Sequence, residues 1–143
     1  MRRILGIDYG DVRTGIAVSD MLGMMACGVG TFKAESDVAL LAIIMEKARY
    51  YDVSHFVMGN PINMNGTIGE RSEKVKAFAA LLEAESSLAV EFVDERMTTM
   101  EAHRYLNVSN TRGKKRKNVV DTLSAEIILQ TYLDSPASQK YRK

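Results

Sequence analysis

Four carboxylates stand where an acid is costly to hold, beside apolar runs that must enter a core: Asp8, Asp94, Glu95 and Asp121. Asp8 follows Leu5-Gly6-Ile7 and is followed at once by the turn-prone Tyr9-Gly10. Asp94 and Glu95 repeat that situation after residues 88–93. Strand alternation sends the two side chains to opposite faces, so one of them points toward the Asp8 neighbourhood. Asp121 shares a helical face with Ala125, Ile128 and Tyr132, a face otherwise small or apolar and suited to lie against a sheet. Taken singly, each acid has an ordinary role as turn acceptor, cap or partner of a helix dipole. Taken together they cost more, because two carboxylates about 4 Å apart at an effective dielectric near 20 repel by about 4 kcal/mol. A divalent cation relieves that repulsion. Mg²⁺ or Mn²⁺ takes oxygen ligands and keeps several waters, and two such ions clamp the attacking water and the leaving 3′ oxygen of a phosphodiester. With one Cys and two His in the chain, a zinc cluster is not the alternative.

Positioning these acids requires strands that end where they stand. Residues 3–9 and 14–19 are short and rich in Ile, Leu and Val, joined by Gly10-Asp11-Val12-Arg13, a link of hairpin length. Residues 24–32 supply a third, returning strand, weakened by its glycines. Residues 36–51 place Val38, Leu41, Ala42, Met45 and Ala48 on one helical stripe. A buried strand at 55–59 stops at Gly-Asn-Pro, and a second helix follows with the stripe Val75, Phe78, Ala79 and Leu82 and a capping box of Thr67 and Glu70. Residues 88–93 form another buried strand, Thr98 with Glu101 caps a third helix, and Asn118 caps a last helix reaching Leu133. Hairpins first and strand–helix alternation afterwards imply an α/β fold with a mixed five-stranded sheet, three antiparallel strands and then two parallel ones. Sites in such sheets lie at the carboxyl ends of the strands.

The chain has 143 residues, 46% hydrophobic and 26% charged, with 2 Pro and 10 Gly, which describes one folded domain over 1–135 with a frayed tail at 136–143. No apolar run reaches bilayer length, and the opening residues carry charge and glycine too early for a secretory leader, so a cytoplasmic protein without membrane contact is expected. Cys27 reads as a small buried hydrophobe and the nine Met residues as core fill. His55 and His103 read as structural. The net charge of +1 conceals a block of +6 over residues 96–117, leaving −5 for the rest. Five cations in six positions, Arg112, Lys114, Lys115, Arg116 and Lys117, form a basic loop before the last helix. Such a loop adds affinity for a nucleic-acid backbone that is independent of sequence and sensitive to salt. Arg13 in the first turn either reaches a phosphate or is an ordinary exposed arginine. Arg96 reaches a phosphate or pairs with Glu95, and Asn60 and Asn63 offer donors to phosphate and ribose from the loop that ends the fourth strand.

Four stretches, GIDYGDVRTGIAVSD (6–20), GNPINMNGT (59–67), VDERMTTMEA (93–102) and KKRKNVVDTLSAEIILQTYLD (114–134), together resemble the YqgF or RuvX family, in its order and at compatible spacing over nearly the whole chain. Members of that family are described as Holliday junction resolvases and as nucleases for the 5′ end of pre-16S rRNA. The resemblance implies a ribonuclease H-like fold and a metal-dependent nuclease. It puts Asp8 on the first strand, the pair Asp94-Glu95 in the DER motif and Asp121 on the last helix, with Asp8, Glu95 and Asp121 as the catalytic set and all four acids as candidate ligands of Mg²⁺ or Mn²⁺. Asn65 departs from the pattern, standing where the family commonly has an acid. The substrate is then an rRNA precursor, which a monomer can trim, or branched DNA, whose symmetrical cleavage needs the two sites of a homodimer. Two rival readings differ in class. One is a non-catalytic RNA-binding factor of ribosome assembly. The other is an actin-like nucleotide-binding module, whose second domain this length leaves no room for.

Overall fold

The computed structural model describes residues 2–61, 69–94, 113–136 and 138, with the side chains of the last helix described from Asp121 onward. In chain order the elements are β1 (Arg3–Asp8), β2 (Arg13–Ser19), β3 (Ala26–Lys33), α1 (Asp37–Tyr51), β4 (Val53–Asn60), α2 (Glu70–Ser86), β5 (Val90–Asp94) and α3 (Gly113–Leu133). The sheet order is β3-β2-β1-β4-β5. β1–β2 and β2–β3 are antiparallel, while β1–β4 and β4–β5 are parallel. The mixed five-stranded sheet expected from the sequence is therefore present.

Alternation along the strands sorts the core into two layers. Leu5, Ile7, Ile16, Val18, Phe56 and Met58 point to one face and pack with Leu40 and Ile44 of α1 and Val75, Phe78 and Leu82 of α2. Ile4, Ala17 and Val57 point to the other face, where Ala125, Ile128, Leu129 and Tyr132 of α3 cover them. Each fully buried Leu, Ile or Phe contributes about 1.5–3 kcal/mol.

The second helix buries the expected Val75, Phe78, Ala79 and Leu82. The first does not follow its expected stripe: Leu40, Ile44 and Ala48 are buried, and Val38 is 77% exposed. The segment is apolar on several faces, so more than one helical stripe fits it and packing selects. Ser36 caps α1, its side chain accepting from the Ala39 N–H. α2 begins at Glu70 with Gly69 as its cap and no side-chain bond there; Thr67, expected to form the capping box, lies outside the described residues. The helix expected from Thr98 also lies outside them.

Other expectations change at the sheet edges. β5 is an outer strand rather than a buried one, with Phe92 39% exposed. β3 is the opposite edge, and Cys27 on it is exposed. Met58 is core, but Met21, Met24 and Met25 around the β2–β3 turn are 64%, 58% and 63% exposed. Edge strands and hairpin tips are covered less completely than the centre of a sheet, which residue type alone does not reveal. The basic segment is corrected too: α3 starts at Gly113, so residues 114–117 belong to the helix and Asn118 lies inside it instead of capping it. Lys and Arg are good helix formers, and the run extends the helix rather than preceding it. Beyond Leu133, Ser138 is buried and donates to the Leu133 carbonyl at 2.9 Å; residues 137 and 139–143 of the expected tail lie outside the described residues. Among the described residues no helix is long and apolar enough to cross a membrane.

Candidate active site

The site is assembled at the carboxyl end of β1. Ile4 belongs to the layer under α3, and Gly6 lies directly against Leu129, so Asp8, in step with both, faces α3. Asp8 is paired across the ladder with Gly15 of β2. A β-carbon on Gly15 would collide with the backbone carbonyl of Asp121, so the missing side chain is what lets this turn of α3 descend onto the sheet beside Asp8. Asp121 is thus carried to the neighbourhood of Asp8 by a close approach of backbones, not by a long reach of side chains.

The turn after Asp8 is held from the other face of the sheet. The Tyr9 ring stacks on Phe78 of α2 at 4.8 Å between centroids, and its hydroxyl donates to Asp37 of α1 at 2.7 Å. Burial, then the Asp37 hydrogen bond and charge, push the Tyr9 hydroxyl well above its ordinary pKa, so it stays a donor. Arg71 of α2 donates to the Tyr9 carbonyl at 3.2 Å. Both helices therefore fix the residue that follows the acid.

Arg13 is half-buried and paired rather than an ordinary exposed turn arginine. It is the first residue of β2, and its Nε donates to Asp121 Oδ2 at 2.8 Å, with the side chains 32% and 23% exposed. α3 is held down along its length by further bonds. Thr122 meets Thr31 at 2.6 Å, Glu126 bonds the Gly28 backbone, and Gln130 accepts from Ala26 N–H at 2.9 Å and donates to Met24 O at 3.0 Å. His55 is structural, as expected, buried between Ser54 at 2.8 Å and the Tyr132 hydroxyl at 3.2 Å. Glu126, which sequence reasoning passed over, is pushed up in pKa by burial against the β3 edge. Its signal was present in the i, i+4, i+8 spacing of Thr122, Glu126 and Gln130, a polar stripe beside the apolar one.

On the far side, Asp94 pairs with Asn60 at the ends of β5 and β4. Val93 packs into the layer under α3, whereas Val90 packs on the α1–α2 side. Asp94 is in step with Val90, so alternation turns it away from the face that carries Asp8 and Asp121. Asn60 also turns toward the helical pair, its Oδ1 accepting from Ser72 of α2 at 2.6 Å, which ties the end of β4 to that helix. Glu95, Asn63, Arg96, Arg112 and His103 lie outside the described residues. Lys114, Lys115, Arg116 and Lys117 are placed by their backbone on the first turns of α3. Among the described residues no three His, Cys, Asp or Glu side chains gather as a metal cluster. Asp8 and Asp121 are hard-oxygen donors, the type a magnesium-type ion takes, and Asp121 already carries the Arg13 guanidinium on Oδ2.

The sequence profile of the RuvX family, described as Holliday junction resolvase, matches residues 2–135. The chain belongs to the RuvX family. A RuvX relative from Clostridioides difficile is 48% identical over 136 residues, covering 92% of this chain and 94% of its own length, and one from Heliobacterium modesticaldum is 42% identical over 135 residues, covering 94% and 91%. Both bear the name "Putative pre-16S rRNA nuclease". Among solved structures, Thermus thermophilus RuvC in complex with a Holliday junction substrate superposes with a TM-score of 0.57 at 13% identity, covering 92% of this chain and 94% of RuvC. The Fowlpox virus resolvase bound to junction DNA does so with a TM-score of 0.54 at 10% identity, covering 93% and 99%. The RuvX chain thus has the ribonuclease H-like fold of these resolvases.

Proposed function

We propose that this protein is a divalent-metal-dependent nuclease that hydrolyses phosphodiester bonds of structured RNA at an acidic site formed by Asp8, Glu95 and Asp121, with the 5′ end of pre-16S rRNA as substrate. The observation that carries the reading is the descent of Asp121 onto Gly15, the ladder partner of Asp8, which gathers two carboxylates on one sheet face. Two acids on one face repel unless cations offset them; Arg13 offsets part of the charge at Asp121, and a divalent ion would offset the rest. Asp8, Glu95 and Asp121 would hold Mg²⁺ or Mn²⁺, which supplies Lewis-acid activation of water and charge stabilisation at the leaving 3′ oxygen when bound. Asp94, turned to the other face, is left out of this set. The β1 turn orients Asp8, and α3 orients Asp121. Arg112 and Lys114 to Lys117, with Asn63 and Arg96, hold the nucleic-acid backbone beside them. The names of the relatives favour an rRNA precursor, and trimming it requires only one site per event, in the cytoplasm where ribosomes mature.

A second reading, resolution of four-way DNA junctions, is favoured by the family's description and by the fold shared with RuvC. It requires a homodimer. One cleavage panel separates the two: pre-16S rRNA 5′ leader, duplex DNA and four-way junction, each with and without Mg²⁺ or Mn²⁺. The rRNA leader is expected to be cut only with metal, and Asp8→Asn and Asp121→Asn are expected to lower the rate by at least about a hundredfold while leaving binding in place. Cleavage indifferent to both substitutions removes the acidic-site reading, and paired incisions in the junction alone select the second.

A further inference from the structure

The ion pair of Arg13 with Asp121 joins a cation of the chain to an acid that the acidic-site reading assigns to a divalent ion. Three observations make it more than a surface contact. The pair is short, 2.8 Å from Nε to Oδ2, and both side chains are largely covered. Arg13 is held in place by the sheet, since β2 pairs it with Lys33 of β3. And Arg13 is two residues from Gly15 on the same face of β2, so the guanidinium lies where the Asp121 backbone packs against the partner of Asp8.

We propose that Arg13 is a positioning residue that serves as an internal stand-in cation at Asp121 and thereby sets how tightly the acidic site holds a divalent ion. The inference rests on the acidic-site reading above. With its Nε–H on Oδ2, the guanidinium fixes the carboxylate rotamer and offsets part of the negative charge that would otherwise attract a dication. The parent protein therefore holds its ion weakly until an acceptor arrives that can take the guanidinium over. A backbone phosphate is that acceptor, because the planar fork of five N–H donors matches its oxygens as well as it matches a carboxylate. Arg13 thus exchanges Asp121 for the substrate, and loading of the ion is coupled to loading of the nucleic acid. Coupling of this kind is reciprocal, each partner tightening the other by the same factor.

The test is calorimetric titration of Mn²⁺ into the parent and into Arg13→Gln, Arg13→Met, Arg13→Lys, Asp8→Asn and Asp121→Asn, without nucleic acid and without reference to turnover. Arg13→Gln is expected to bind Mn²⁺ about tenfold more tightly than the parent, with the gain shrinking in high salt. Arg13→Met, which keeps an apolar stem of similar length, is a second neutral variant should Arg13→Gln fail to fold. Arg13→Lys, which retains the charge, is expected to stay near the parent. Loss of Mn²⁺ affinity in Asp8→Asn and Asp121→Asn, with no tightening in either neutral Arg13 variant, overturns the stand-in role and leaves the acidic site intact. Mn²⁺ binding unchanged by the two Asn substitutions overturns the acidic-site reading itself.

Discussion

Gly15 decides the geometry of the site although it carries no chemistry. The Asp121 carbonyl occupies the position its β-carbon would take, and its ladder partner is Asp8. Gly15→Ala is expected to lift the first part of α3 from the sheet, with an overpacking cost of about 1–3 kcal/mol. Thermal unfolding would show it as a lower melting temperature. Cleavage at saturating Mn²⁺ and at a temperature where the variant is fully folded should fall as well, because Asp121 moves away from Asp8. Full activity in a folded Gly15→Ala protein would show that the two acids need not be this close. Tyr9 works from the opposite face, where its stacking on Phe78 and its hydrogen bond to Asp37 hold the turn that follows the acid.

At the scale of elements, α3 carries most of the functional geometry. It lies over β1, β2 and β4 with an apolar face of Ala125, Ile128, Leu129 and Tyr132, and a polar stripe of Thr122, Glu126 and Gln130 ties it to β3. Glu126 is the weak member of that stripe. Burial raises its carboxyl pKa above the ordinary 4.5, so the folded state keeps a proton to higher pH than the unfolded state does. Stability then falls as pH rises through the interval above 4.5. Glu126→Gln keeps an oxygen acceptor for the Gly28 N–H and has no proton to lose. It is expected to melt about 2 °C higher than the parent near pH 8, with the difference closing in acid below the ordinary carboxyl value. A difference that stays constant across the pH range would mean that desolvation of the carboxylate is not its origin.

At the scale of the molecule, charge is separated along the chain, with +6 over residues 96–117 and −5 elsewhere. Residues 114–117 lie on the helix that also carries Asp121, so the basic segment and that acid share one element. Nucleic-acid affinity should therefore fall with salt, and replacing Lys114, Lys115, Arg116 and Lys117 together by Ala should reduce the slope of log affinity against log salt by up to about 3. Fluorescence anisotropy with an rRNA leader at several salt concentrations measures it. An unchanged slope would place the phosphate contacts elsewhere.

The sequence alone determined the strand order in time, the change from antiparallel to parallel pairing, the buried stripe of α2 and the apolar face of α3 below Asp121. Each of these depends on local periodicity and on the lengths of connections, which neighbouring residues encode. It did not determine which stripe of α1 is buried, because that helix is apolar on several sides and only contact with β-strands selects Leu40, Ile44 and Ala48. Nor did it show that Cys27, Met21, Met24 and Met25 are exposed, since that follows from their places at an edge strand and a hairpin tip, which residue type does not encode. The partner of Arg13 was hidden for a related reason. Arg13 and Asp121 are 108 residues apart, and only the packing of α3 on a glycine of β2 brings them together. Long-range proximity is set by which faces bury one another, a property of the folded whole that no local stretch of residues contains.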